Sequence, residues 1–162
     1  MAEQVPQEVL DYLGARKTLT LATSGSDGPW AATLTYVNDG SAIYIWTKPS
    51  SNTARHLDED PRAAFTIDEY SEDWRETKGI QGRGSCSPVE GEDLGRAADL
   101  FGQKYPQLRP GSTSAVIFYR LEPDALEFID SASAADEGDD FGADFRRRSV
   151  LDMPAQGGGP TG

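Results

Sequence analysis

The feature that most constrains this chain is a change of hydrophobic period, from helical spacing to strict alternation. Residues 18–23 alternate polar with apolar side chains, which predicts a half-buried β-strand. Two further strands are predicted at residues 30–37 and 42–47, because turns rich in Gly, Asn and Asp separate the three segments. The three segments together predict an antiparallel meander.

The rest of the chain continues this pattern with a few helices. Helices are predicted at residues 3–15, 52–58 and 90–105, and further strands at 62–68, 78–89, 115–122 and 125–130, the last two separated by Pro123 and Asp124. Roughly six strands in one small chain favour a closed antiparallel barrel, which leaves no exposed strand edges. We predict one domain over residues 1–150, with Phe141 and Phe145 docking a short segment, and a disordered tail over residues 151–162.

Composition narrows the classes of function. The chain has 162 residues and a net charge of −12, and a surface this acidic repels nucleic acid and anionic membranes. It has one cysteine, no apolar run long enough to span a bilayer, and no basic segment leading into an apolar one at the N-terminus. A soluble protein of the cytoplasm is therefore expected.

Residues 43–57 combine a strand end, a hydroxyl-rich turn and a helix start. Free backbone amides at a helix N-terminus attract an anion. The side chains that could add hydrogen bonds or charge are Thr47, Lys48, Ser50, Ser51, Asn52, Thr53 and Arg55. Ser and Asn also serve ordinary helix capping, so the pattern alone leaves an anion site and a plain cap both open.

Residues 78–84 alternate cations and an amide with glycines. Such a strand would let a planar ligand approach its backbone, but a bulged strand with solvated charges has the same pattern. Among the other candidates, His56 lacks the partners of a zinc site and is predicted to be an exposed helix residue, and Cys86 is predicted to be buried and structural. No catalytic residue and no metal site are predicted.

The order of these segments resembles the pyridoxamine 5′-phosphate oxidase-like superfamily of FMN-binding split barrels. The resemblance rests on residues 43–47, 53–62, 78–84 and 89–93, and it covers roughly residues 9–148. It implies a mainly β fold, a six-stranded antiparallel split β-barrel with Greek-key topology and a few flanking helices. It also implies a homodimer with two flavins lodged between the subunits.

The resemblance also implies which residues contact the cofactor. The FMN phosphate would be held by Thr47, Lys48, Ser51, Asn52 and Thr53, with Trp46 beside them. The isoalloxazine would contact Ala32, Thr33, Leu34 and Thr35, and it would be approached by Lys78, Gly79 and Gln81.

An FMN-dependent oxidoreductase with a small-molecule substrate is the function that follows. Pyridoxamine 5′-phosphate oxidases carry an arginine and a lysine where Asn52 and Thr53 stand here, and an arginine–histidine pair near the C-terminus, whereas this chain has no histidine after His56. We therefore expect a different substrate. A reductase using the deazaflavin cofactor F420 and a non-enzymatic haem- or flavin-binding barrel are the alternatives.

Overall fold

A computed structural model describes residues 5–107, 115–131 and 147–152 of the chain. The α-helices within these residues are α1 (Gln7–Ala15), α2 (Asn52–Glu59) and α3 (Glu92–Lys104). The strands are β1 (Thr18–Gly25), β2 (Gly28–Asp39), β3 (Ala42–Thr47), β4 (Arg62–Asp68), β5 (Lys78–Pro88), β6 (Ile117–Asp130) and β7 (Arg147–Asp152). A single 3₁₀ turn, Trp74–Glu76, precedes β5.

Six strands close into an antiparallel barrel, which confirms the predicted fold class. The strand order is β3-β2-β1-β4-β5-β6, and pairing of β3 with β6 closes the ring. The first part of β6 pairs with β3, from Ile117 to Leu121, and its later part pairs with β7, from Ala125 to Ile129. β3 therefore pairs with β2, which directly precedes it in the chain, and with β6, which comes much later.

Alternation along the strands separates a barrel interior from an outer layer. The interior is filled by aliphatic residues of all six barrel strands and by α1, including Val9, Leu13, Leu19, Leu21, Ile43, Ile45, Ile67, Ile80 and Leu121, each at most 2% exposed. α3 covers the outer side of β2, β3 and β6, where Ala97 and Phe101 pack with Val37, Tyr44 and Phe118. One face of α3 is buried because its apolar residues recur at helical spacing.

Two predictions at the end of the chain need correction. The two strands predicted at 115–122 and 125–130 are one strand, because Pro123 sits opposite Gly84 at a register shift, where a missing N–H is tolerated. β7 was not predicted, and residues 151 and 152 belong to it rather than to the predicted tail. Phe141, Phe145 and residues 153–162 lie outside the described residues.

Within the described part of the chain, none of the helices has the length and apolar character needed to cross a bilayer.

Candidate functional site

The residues predicted to form an anion cradle lie where β3 ends and α2 begins. Ser51 is the N-cap of α2, and its Oγ accepts a hydrogen bond from the Ala54 amide at 3.0 Å. The Thr47 hydroxyl donates to the same oxygen at 2.8 Å. Because a hydroxyl that accepts two hydrogen bonds still carries its own proton, Ser51 retains a donor for a ligand.

Other donors at the cradle also lack acceptors. Among the described residues, the backbone amides of Asn52 and Thr53 and the exposed ammonium of Lys48 make no hydrogen bond or ion pair. Asn52 Oδ1 accepts from Arg55 Nη2 at 3.1 Å, which leaves the NH₂ end of the Asn52 amide as a donor. The first turn of α2 therefore presents several unused donors, and the turn before it carries one cation, Lys48, that no described carboxylate neutralises.

Behind the cradle, the body of α2 is fastened to the β1–β2 hairpin by a network that we name the hairpin clamp: Thr23, Asp27, Arg55 and His56. Asp27 binds Arg55 through Oδ2 and His56 Nε2 through Oδ1, each at 2.8 Å. His56 Nδ1 lies 3.1 Å from Thr23 Oγ1. The prediction that His56 is exposed is wrong: the residue is 2% exposed, because it faces the hairpin rather than solvent.

The β1–β2 hairpin leaves room for the side chains of α2 and forms hydrogen bonds and ion pairs with them. A side chain at Gly25 would place its Cβ 2.5 Å from His56 Cδ2, so only glycine fits there. Glu59 accepts from the Ser26 amide at 2.7 Å. Hydrogen bonds from Arg55 and His56 lower the pKa of Asp27 to about 2. Arg55, which sequence reasoning placed among the cradle charges, is therefore neutralised by Asp27.

The residues predicted to contact the isoalloxazine lie on an open edge of β2. Strand β3 pairs with β2 only from Tyr36 to Asp39, so residues 29–35 are paired on their β1 side alone. Ala32 and Leu34 lie opposite Leu21 and Leu19 and share their inward face, whereas Thr33 and Thr35 face outward. Ala32 and Leu34 can therefore offer a ligand their backbone, and Thr33 and Thr35 their hydroxyls as well.

The predicted residues of β5 are separated from that edge. Gln81 pairs with Thr66, Thr66 with Thr20, and Thr20 with Thr33, so Gln81 and Thr33 share one outer face. Three strand spacings put them about 14 Å apart. Gly79 lies on the same face as Gln81, whereas Lys78 alternates onto the opposite face at the strand end. One copy of the chain does not bring β2 and β5 to one ligand.

The remaining candidates are placed apart from the cradle. Trp46 packs in the layer beneath α3, and its buried indole N–H has no acceptor among the described residues. Cys86 is 1% exposed, and burial raises the pKa of its thiol to about 12, which confirms it as a structural residue. No group of three or more potential metal ligands occurs within the part of the chain that the structure describes.

Sequence reasoning missed Asp27 and Thr23 as members of the clamp. Their partners on α2 lie 28 to 33 positions further along the chain. Asp27 occurs in a turn-forming segment, where an aspartate needs no explanation. No local pattern in the sequence identifies such a long-range network.

Comparison with known proteins places this geometry in a family. Residues 5–129 match the family model described as pyridoxamine 5′-phosphate oxidase. No curated protein matches the sequence significantly. The match spans the barrel from before α1 to the end of β6, including the cradle and the open edge of β2.

Solved structures share the fold at low sequence identity. The conserved hypothetical protein Rv2991 from Mycobacterium tuberculosis is 23% identical, with a TM-score of 0.70 over 90% of this chain and 98% of that one. HutZ, a haem storage protein from Vibrio cholerae, is 20% identical, with a TM-score of 0.62 over 76% of this chain and 93% of its own. A haem-binding protein from Mycobacterium smegmatis is 21% identical, with a TM-score of 0.62, covering 85% of this chain and 53% of that one. With its closed six-stranded barrel and its match over residues 5–129, the chain belongs to the pyridoxamine 5′-phosphate oxidase family.

Proposed function

We propose that this protein binds FMN between two copies of the chain and acts as a flavin-dependent oxidoreductase on a small molecule. The observation that carries the proposal is the set of unused donors at the first turn of α2, next to the unpaired edge of β2. A phosphate monoester needs several donors and a compensating charge, and the cradle offers both.

Different residues would contact the phosphate and the ring of FMN. Ser51, Asn52, Thr53 and the two free amides would donate to the phosphate oxygens, and Lys48 would supply the charge. The backbone of residues 32–35 would pair with the polar edge of the isoalloxazine. Bound flavin would supply hydride or single-electron chemistry. The chain's part is to orient the ring and to exclude water.

A homodimer accounts for the separation between β2 and β5. The outer face between them is exposed and built from small side chains: Ala22 lies opposite both Ala31 and Ala64. Such a face allows two barrels to approach closely. In a dimer, Gly79 and Gln81 of one copy would complete the site formed by Thr33, Thr35 and the cradle of the other.

The first test is a titration of FMN into the purified protein, following flavin absorption and fluorescence. We expect flavin binding in the wild type and a loss of about tenfold to hundredfold for Lys48→Gln, since a charge-assisted hydrogen bond contributes about 1.5–3 kcal/mol. Arg96→Gln removes an exposed cation of α3 that is held by Asp39, and it should bind FMN like the wild type. Absence of flavin binding in the wild type would overturn the proposal.

The second test concerns the dimer. Ala22→Arg introduces a long charged side chain into the small-residue face, and sedimentation should show a monomer with weakened FMN binding. Asp99→Arg adds the same side chain on the exposed surface of α3 and should stay dimeric. A wild-type monomer that binds FMN tightly would contradict a shared site.

Haem is the second candidate, favoured by the two structural neighbours that are haem proteins by name. His56 is the one histidine of the chain, and both of its ring nitrogens lie within 3.1 Å of clamp partners. Axial ligation by His56 would break the clamp, so we expect no Soret band of a histidine-ligated haem on addition of haem. A Soret band that His56→Ala abolishes would favour haem over FMN. Parallel titration with F420 separates the deazaflavin alternative.

A further inference from the structure

The cations of this protein fall into two classes. Every arginine whose side chain the structure describes lies within 4.0 Å of a carboxylate: Arg16, Arg55, Arg62, Arg75, Arg83, Arg96 and Arg120. None of the lysines in the same residues has such a partner: Lys17, Lys48, Lys78 and Lys104. In a chain of net charge −12, an ammonium that no described carboxylate neutralises is a candidate for binding an anion.

Two of these lysines lie around one aromatic ring, away from the residues of the cradle. Lys104, the last residue of α3, holds its Nζ 4.2 Å from the centroid of the Tyr36 ring and 5.7 Å from that of Tyr105. Lys17, just before β1, holds its Nζ 5.4 Å from the Tyr105 centroid. α3 thus brings a second ammonium to the start of the barrel.

The two tyrosine rings beside these lysines are fixed by hydrogen bonds. The Tyr105 hydroxyl lies 2.5 Å from the Lys17 carbonyl oxygen and 2.6 Å from that of Tyr36. The Tyr36 hydroxyl donates to the Leu13 carbonyl at 2.5 Å. Both hydroxyls are engaged with backbone carbonyls, and neither lies within hydrogen-bonding distance of Lys104 Nζ. The rings are held in place whether or not a ligand binds.

Lys104 Nζ is buried and has no hydrogen-bond acceptor among the described residues. A buried ammonium without acceptors is costly, and contact with ring faces offsets only part of that cost. Burial first, and then the charge of Lys17, lower the pKa of Lys104 to about 8. Arg16, which precedes Lys17 in the chain, is paired with Glu69 at 2.5 Å, so that carboxylate is already engaged.

We propose that Lys17 and Lys104 form a second ligand site, for a small doubly charged oxyanion such as a phosphate or sulfate group. Such an ion supplies the acceptors that Lys104 lacks among the described residues, and its two charges match two ammonium groups. The flexible stem of Lys104 lets its Nζ turn from the Tyr36 ring towards the ion. The site belongs to α3 and the α1–β1 junction, and it shares no residue with the cradle.

The test is a calorimetric titration of sulfate into the FMN-free protein near pH 8, in two buffers of different ionisation enthalpy. Sulfate stays a dianion and does not buffer, so any proton exchange comes from the protein. Because the bound ion restores the charge of Lys104, the wild type should take up protons on binding. Lys48→Met, which removes the cation of the cradle, should keep this uptake.

Lys104→Met should lose the proton uptake and at least about tenfold in sulfate affinity at this site. Lys17→Met provides a second test that leaves Lys104 in place. It should weaken sulfate binding and reduce the proton uptake, because loss of the Lys17 charge raises the pKa of Lys104 and leaves more of it charged before the ion arrives. Sulfate binding without proton uptake in the wild type would overturn the proposal. Uptake that survives in Lys104→Met would do the same.

Discussion

The first turn of α2 and the rest of that helix differ in how completely their polar groups are satisfied. In the first turn, the amides of Asn52 and Thr53 and the nearby Lys48 lack partners among the described residues. One turn later, Arg55 and His56 are both held by Asp27. The helix body thus serves as a scaffold, and the N-terminal end keeps the donors on which the proposed FMN site depends.

The same comparison explains how a cradle with few charges could still hold a phosphate. The clamp fixes the helix against the hairpin, so its free amides stay aimed at one place. Preorganised donors do not have to be ordered when the ligand arrives, which lowers the entropic cost of binding. Because Asp27 neutralises the charge of Arg55, phosphate binding at the cradle would depend on Lys48 and on neutral donors.

The largest expected effect comes from breaking the scaffold. His56→Ala removes a fully buried ring, leaves Thr23 without its side-chain partner and leaves Asp27 with Arg55 alone, which should lower the free energy of unfolding by about 2–4 kcal/mol. Urea denaturation measures this value. His56→Gln keeps one hydrogen-bonding amide in the same space and should lose less. Equal stability of wild type and His56→Ala would show that the clamp contributes nothing to the fold.

A smaller effect is expected where scaffold and ligand site meet. Ser51→Ala removes the cap of α2 and should cost about 1 kcal/mol of stability. It should also weaken FMN binding, since the Ser51 proton is one of the predicted phosphate donors. Ser50→Ala is the matched control, because Ser50 is exposed and does not cap the helix. A variant at Ser51 that loses stability but binds FMN normally would assign the residue to capping alone.

The smallest effect should be a pH dependence within the clamp. The pKa of Asp27 is lowered from 3.8 to about 2 in the folded chain, so its charge stabilises the fold above pH 3.8. This contribution is lost as the pH falls through about 2, where the folded state also takes up the proton. The stability difference between wild type and Asp27→Asn should therefore be constant at neutral pH and shrink in acid. Asp99→Asn controls for net charge, and a difference that persists at low pH would contradict the ion pairs.

The sequence allowed much of the fold to be predicted, because alternation and turns are local signals. β3 and β4 begin and end at the predicted residues, and the cradle forms at the predicted strand end. Pro123 was taken as a break because its tolerance depends on Gly84, a residue of another strand. The burial of His56 likewise depends on a hairpin that precedes it by about 30 positions. What escaped prediction was set by tertiary neighbours rather than by local pattern.

The closure of the barrel by β3 and β6 has a consequence for how the protein folds. The pairing joins residues 43–47 to residues 117–121, and strands β4 and β5 and helices α2 and α3 lie between them in the chain. Contacts this far apart in sequence slow folding, because the entropy of a long loop is lost before the contacts are gained. During synthesis, the free edge of β3 should therefore wait for β6 to emerge. The strand that delivers Thr47 to the cradle would be among the last to find both of its neighbours.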